Sequence, residues 1–529
     1  MTPQRLELGP LPEDFAAELR GLSANARLDQ LDANSGDNLH IEAPWTGETI
    51  GWVGAGNEET VNEAFRRARR AQQSWQHVPF AERRQIFSRF HDAVLANREL
   101  LADMVQLETG KSRNGAFDEV LDVANNTRFY TNRVEKLMSP KKRRSAVPVL
   151  ANSREHRQPL GVTGQIAPWN YPLTLGISDA IPSLLAGNGV VAKPDSSTPF
   201  TSLLVFKLLY EAGLPRDLVQ LVTGSGRVVG TAIAEQCDYL MFTGSTKTGK
   251  LLGQTMGGRL VGFSAELGGK NPMIVANDCD MDKTVRGAVD ACFSNSGQLC
   301  VSIERIYVEQ GVAEEFSRRF SERTKAMSLG AGFDYETEMG SLASADQLKT
   351  VDEFVEDARE KGAKILAGGK ARPDLGPYFY EPTVLADVPE DARLVREEVF
   401  GPVVYIQPVA DLQEAVRLAN DTQYGLNSCV WAKPETAWNV GPQIQAGSVA
   451  LNDGYVAPWS AIENSSGGMK ESGMAARHGD AGLLKYTAGQ NVTEQRLMSM
   501  RGPESLKRKH YAAIMSTALK LGKKLKMLP

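Results

Sequence analysis

Short apolar runs ending in turn residues recur through this chain, and stretches with helical spacing separate them. "LGVTGQIAPW", "NGVVAKPD", "DLVQLVTGSG", "YLMFTGST" and "NPMIVAND" are each rich in Val, Ile or Leu. Such runs read as strands buried on both faces. Between them, "TSLLVFKLLYEAG" (Thr201 to Gly213) reads as a helix opened by a capping Thr and closed by Gly. Strand–helix–strand alternation implies parallel sheets, because a parallel connection needs a crossover long enough to hold a helix. A second series follows Cys300: "RIYVEQ", "EPTVLADV", "GPVVYIQPV", "LNSCVWA" and "GSVALND". It predicts a second α/β domain. Thr60 to Asn97 reads as two amphipathic helices with Pro79 near their junction.

A chain of 529 residues is too long for one core, so two or three domains are expected. The net charge of -5 argues against a nucleic-acid partner. Five scattered cysteines do not form a disulfide framework, and without CxxC or clustered histidines no metal site is expected. "MTPQRLELGPLPEDFAAEL" lacks the apolar core of a signal peptide, and no run reaches the ~18 apolar residues of a membrane span. The expectation is a reduced, cytoplasmic protein.

Four local patterns carry chemistry. In "FSNSGQLCVS", Cys300 follows Gly297-Gln298-Leu299 and is either a small buried apolar residue or a nucleophile. In "FTGSTKTG", Gly244 permits a close turn, and Ser245 and Thr246 open a helix suited to a pyrophosphate. A further turn, "TGSGRVVG", misses the G-x-G-x-x-G spacing by one residue and reads as a plain strand-to-helix turn. "SAELGGKNP" sets Glu266 before Gly268-Gly269, as a general base or as a solvated loop carboxylate. "PWNYP" fixes Asn170 between prolines, as an oxyanion donor or a turn former.

Taken in order, "PWNYP", "AKPDS", "FTGSTKTG", "AELGGKNP", "FSNSGQLC", "EEVFGPV", "ANDTQYGLN" and "GGMKESG" resemble the NAD(P)-dependent aldehyde dehydrogenase superfamily, over roughly residues 40 to 490. Within it, "QCDYLMFTGS", "GFSAELGGKNPMIVA" and "CFSNSGQLCVSIERIYVE" are most similar to the second actinobacterial type of succinate-semialdehyde dehydrogenase. The resemblance implies that Cys300 is the nucleophile, Glu266 the base for thioester hydrolysis, and Asn170 with the Cys300 backbone N–H the oxyanion site. It also implies cofactor contacts. Pro168 and Trp169 lie on the nicotinamide side, Lys193 and Ser196 at the adenosine ribose, and Gly244 and Ser245 at the pyrophosphate. Leu267 would touch the nicotinamide through its backbone, and Glu398 its ribose. Ser196 stands where NAD-preferring members often carry Glu. With Lys193 it favours NADP, NAD remaining usable, while Asp195 could supply the missing carboxylate.

The fold implied is α/β, with two Rossmann-like parallel-sheet domains and a small β oligomerisation arm. Residues 1–35 would form an extension, 36–142 and 162–268 the nucleotide-binding domain, 143–161 and 483–500 the arm, 269–482 the catalytic domain and 501–529 a basic tail. An arm with an open edge implies a homodimer or homotetramer. Two positions depart from the better-known succinate-semialdehyde enzymes: Ser178 replaces an Arg that would grip the substrate carboxylate, and Ser302 replaces a redox-switch cysteine. The alternatives are a broad aliphatic or aromatic aldehyde dehydrogenase and a non-catalytic structural relative; the intact Cys300, Glu266 and Asn170 count against the latter. Asn491 to Pro529 hold nine Lys or Arg against two Glu, with Ile514, Ala518, Leu521 and Leu525 on one helical face. This tail could lie on an anionic membrane surface; packing on this subunit or a neighbour is the preferred reading.

Overall fold

The computed structural model describes residues 16–18, 38–145, 150–496 and 501–524. The expected extension, 1–35, falls outside them apart from 16–18. The first four runs of the first series, with one further segment, form a sheet of five parallel strands: β1 (Val162–Ile166), β2 (Gly189–Lys193), β3 (Val219–Leu221), β4 (Tyr239–Thr243) and β5 (Gly262–Glu266). Their spatial order is β3-β2-β1-β4-β5, with the short strand Gly473–Met474 antiparallel on the β5 edge. The strand order reverses between β1 and β4, and in such sheets ligands bind in the crevice beyond the carboxyl ends at that point. Ile166 pairs with both Lys193 and Phe242, so the loops after β1, β2 and β4 leave the sheet side by side. The strand β5 was not anticipated from the sequence.

Alternation explains why these runs are strands. Val190 and Ala192 of β2 enter one apolar cluster with Phe200 and Leu204, and Val191 enters another with Phe65 and Leu240. Both faces are covered, as a parallel sheet requires. Two of the covering helices, Glu58–Trp75 and Phe80–Ala96, match expectation, with Pro79 at the N-cap of the second. One expectation is corrected. The helix after β2 spans Pro199–Glu211, so Thr201 lies inside it rather than capping it, and Thr198 at the N-cap makes no side-chain cap. Buried Glu108 serves the end instead, accepting the Phe200 and Thr201 amides at 2.6 and 2.8 Å. A carboxylate from another helix satisfies two orphan N–H groups and complements the helix dipole.

The second series, joined by "NPMIVAND" from the first and by Lys364–Ala367, forms a seven-stranded sheet: β6 (Asn271–Val275), β7 (Ile303–Glu309), β8 (Lys364–Ala367), β9 (Thr383–Ala386), β10 (Val403–Val409), β11 (Asn427–Trp431) and β12 (Ser448–Leu451). The order is β8-β9-β10-β7-β6-β11-β12, parallel except at β8–β9. Only Leu267 to Lys270 separate the end of β5 from the start of β6. The carboxyl end of one sheet is thereby tied to the amino end of the other, and the loop before β7 carries Cys300 to that joint.

Strands Lys141–Arg143, Ala151–Pro159 and Thr487–Gln495 form a separate antiparallel sheet where the arm was expected. Thr487–Gln495 lies at its edge and is exposed after Thr487. The tail forms the helix Arg508–Lys524, of which only Tyr511 is buried. Ile514, Leu519 and Leu521 are exposed, so the expected packing on this subunit does not cover them; Leu525 lies outside the described residues. Among the described residues no helix is long and apolar enough to cross a membrane, and none cluster as a metal site.

Candidate active site

The turn before Cys300 is built from left-handed backbone. Asn295, Ser296 and Gly297 have φ of +51°, +56° and +69°. At Gly297 only glycine fits, because a Cβ would meet the Gly401 carbonyl oxygen at 2.1 Å. Two buried asparagines hold the far side. Asn271 Nδ2 donates to the carbonyls of Cys300 (2.7 Å) and Ser302 (2.8 Å), and Asn427 Nδ2 donates to that of Val301 (2.8 Å). Cys300 is left half-buried in the wall of a cavity also lined by Asn170 and Glu266.

Asn170 follows β1. Its Nδ2 donates to the Gln298 carbonyl at 3.0 Å, which uses one of its two N–H bonds and leaves the other for a ligand. Its backbone oxygen accepts from Lys111 Nζ at 2.7 Å and Asn295 Nδ2 at 3.1 Å. Glu266 ends β5, and the Leu267 N–H is taken by the Ser472 carbonyl, so a backbone contact of Leu267 to a ligand falls to its carbonyl.

The residues expected on the cofactor side come together at the reversal point. Pro168 and Trp169 follow β1, Lys193 and Ser196 follow β2, and Gly244 and Ser245 follow β4. Ser245 caps the helix Thr246–Arg259, accepting the Thr248 N–H. This helix end faces the crevice side of the sheet and suits a phosphate. Ser196 Oγ donates to the Gly224 carbonyl at 2.9 Å, and Lys193 Nζ to that of Pro194 at 3.0 Å. Asp195 is occupied within its own turn, where Oδ1 accepts from Ser197 N (3.0 Å) and Oγ (2.8 Å). Glu398 Oε1 accepts the Gly269 N–H at 2.8 Å, and Trp169 meets Phe400 edge-on at 5.6 Å.

The aldehyde dehydrogenase family profile matches residues 31–492. The chain belongs to the aldehyde dehydrogenase family. A protein of Mycolicibacterium smegmatis, provisionally named succinate-semialdehyde dehydrogenase (NADP+), is 49% identical over 494 residues, 93% of this chain and 95% of its own. Betaine aldehyde dehydrogenase of Bacillus subtilis is 37% identical over 85% of this chain and 92% of its own. Among solved structures, an aldehyde dehydrogenase from Bacillus cereus has a TM-score of 0.86 at 32% identity, covering 93% of this chain and 100% of its own. An E. coli NADP-dependent enzyme has a TM-score of 0.84 at 31% identity, covering 88% and 96%.

The electrostatics of this aldehyde dehydrogenase separate its two central groups. Burial, with Glu266 and Glu398 nearby, pushes the Cys300 thiol up to about 12, against a smaller opposing pull from Arg477. Burial pushes Glu266 to about 7, partly offset by Arg477 and Lys485. Burial thus raises both groups, the thiol further than the carboxyl. Cys237 and Cys292 are also pushed up by burial, and with Cys429 they sit in apolar clusters away from the cavity.

Two buried ion pairs that brace the site were missed in the sequence. Lys111 Nζ lies 2.5 Å from Glu119 Oε1 and 3.7 Å from the Tyr171 ring centre, and Glu119 Oε2 accepts the amides of Leu173 (2.9 Å) and Thr174 (3.0 Å). This pair holds the Asn170 loop. Lys270 pairs with Glu304, which accepts the amides of Val399 and Phe400 at 3.0 Å and so holds the Glu398 loop. The available signals were slight: each lysine follows a glycine. Arg477, Lys485 and Tyr486 converge on Asp179 behind Glu266, also unread. Ser178, where a cation was sought, donates to Asp122 Oδ2 at 2.9 Å.

Proposed function

We propose that this chain oxidises succinate semialdehyde to succinate, preferring NADP+ over NAD+, and that it works as a homodimer or homotetramer. The observation that carries the reaction is that Cys300, Glu266 and Asn170 line one cavity at the joint of the two sheets. The substrate and cofactor choice is supported by the names of the mycobacterial relatives. It is supported too by Ser196 and Lys193, with no carboxylate at position 196, and by an Asp195 already bonded to Ser197. The exposed edge strand Thr487–Gln495 supports association.

In this mechanism the Cys300 sulfur attacks the aldehyde carbon as its proton is lost to water. The charge developing on the carbonyl oxygen is met by the second N–H of Asn170 and the backbone N–H of Cys300. Bound NADP+ supplies the hydride acceptor at its nicotinamide. Cys300 is left as a thioester. Glu266, in its ionised form, takes a proton from the water that attacks this thioester, and the thiolate leaves as the acid is released. Water exclusion falls to the aromatic wall of Tyr171, Tyr455 and Trp459, whose rings meet at 5.9 and 6.1 Å.

One observation favours a second reading, a broad aliphatic or aromatic aldehyde dehydrogenase: Ser178 stands where a carboxylate-gripping Arg was sought, and it binds the carboxylate of Asp122. Reduced-cofactor absorbance at 340 nm, with succinate semialdehyde, butanal and benzaldehyde and with each cofactor, separates the readings. The highest kcat/KM is expected for succinate semialdehyde with NADP+. A higher value for butanal or benzaldehyde sinks the substrate assignment, and no reduction with any aldehyde sinks the activity.

A further inference from the structure

The cavity beside Cys300 extends past Ser178 into a polar recess whose wall holds unmet hydrogen-bonding capacity. Among the described residues, Thr174 Oγ1 and His478 Nδ1 are buried, line this cavity and have no hydrogen-bond partner. Buried polar groups are nearly always paired, so such atoms facing one cavity point to a ligand group that pairs them. A third, Asn126 Oδ1, is an acceptor and does not serve an anion. His478 is also held in an uncommon backbone state, φ +56° and ψ −177°, a region nearly reserved for glycine. Its neighbours enforce it: the Gly482 N–H donates to the His478 carbonyl at 2.8 Å, and the Gly479 N–H to that of Ile462 at 2.9 Å. Strain of this kind persists where a side chain must be aimed.

The charges around the recess are close to balance, so it is the free donors that point to an anion. Behind the recess, Asp179 faces two cations, Arg477 (Nε at 2.9 Å) and Lys485 (Nζ at 3.3 Å), and Arg477 lines the cavity together with the carboxyl groups of Asp122 and Glu266. Asp122, in the same wall, accepts from two donors, Ser178 Oγ at 2.9 Å and Trp459 Nε1 at 2.5 Å. We propose that Thr174 and His478, backed by Arg477, receive the distal carboxylate of the substrate in place of the missing arginine, with the Thr174 hydroxyl and the His478 Nδ1–H as donors. This inference rests on the succinate-semialdehyde reading and names the residues that give it selectivity. Ser178 then plays a different part, since its hydroxyl ties down Asp122 and its small size keeps the recess open.

The test is the ratio of kcat/KM for succinate semialdehyde to that for butanal, which lacks the carboxylate, in wild type, His478→Leu, His478→Gln and Thr174→Val. A hydrogen bond to a charged group corresponds to about tenfold to a hundredfold. The ratio is expected to fall by that amount in His478→Leu and in the near-isosteric Thr174→Val. Butanal turnover is expected to stay within about threefold, and His478→Gln, which keeps a donor, to recover part of the loss. Equal losses for both aldehydes, or an unchanged ratio in both His478→Leu and Thr174→Val, overturn the proposal while leaving the substrate reading intact. A wild type that prefers butanal overturns the substrate reading itself.

Discussion

Replacing Glu266 by Gln tests the centre of the mechanism, because burial gives that carboxyl a pKa of about 7. The base must be ionised to activate water, so activity is lost as pH falls through that value. One unit below it, near pH 6, about a tenth of the molecules carry the carboxylate; near pH 8 about nine tenths do. Where thioester hydrolysis limits turnover, the wild-type rate is expected to rise about ninefold over that range, with its midpoint near 7. The amide cannot accept a proton. A positioned general base contributes typically 10²- to 10⁴-fold, so steady turnover of Glu266→Gln is expected to fall by at least about a hundredfold and to lose the midpoint near 7. Cys300 remains in place, so one equivalent of reduced cofactor per site should still form in a burst. Stopped-flow absorbance at 340 nm from pH 6 to 8.5 reads both phases. A steady rate within threefold of wild type, or a wild-type profile flat between pH 6 and 8, refutes the assignment of Glu266. A vanished burst places the residue in the first chemical step instead.

Cys300→Ala is expected to abolish aldehyde oxidation while NADP+ binding, followed by protein fluorescence, persists; residual turnover above about 1% would transfer the role to another thiol. Ser196→Glu is expected to move cofactor preference toward NAD+ by about one to two powers of ten, read as the ratio of kcat/KM for the two cofactors; an unchanged ratio would mean that this side chain does not face the ribose. Lys111→Met leaves the Glu119 carboxyl buried without its cation, so about 3–5 kcal/mol of stability is expected to be lost by chemical denaturation. Because Lys111 also holds the Asn170 carbonyl, kcat should fall more than KM rises in the folded variant; unchanged kcat would make the pair purely structural.

What the sequence determined by itself was everything carried by local pattern. Runs such as Val190 to Ala192 alternate between two apolar clusters, and that alternation is legible because side chains on a strand point to opposite faces at a fixed period of two. The helices around Pro79, the parallel sheets, and the loops bearing Asn170, Ser245 and Cys300 follow from such signals. The strand that ends in Glu266 was overlooked because "GFSAE" is short, polar at every second place and begins with glycine. Only the tertiary structure decided what surrounds those loops. Glu108 reaches across 92 residues to cap the helix at Phe200, and Lys111 across 59 to the Asn170 carbonyl. Arg477 meets Asp179 across 298. No periodicity records such pairs, since each partner obeys only its own local rule. Yet it is burial together that sets the charge on Glu266, and the packing around Thr174 and His478 that leaves their donors aimed at one cavity.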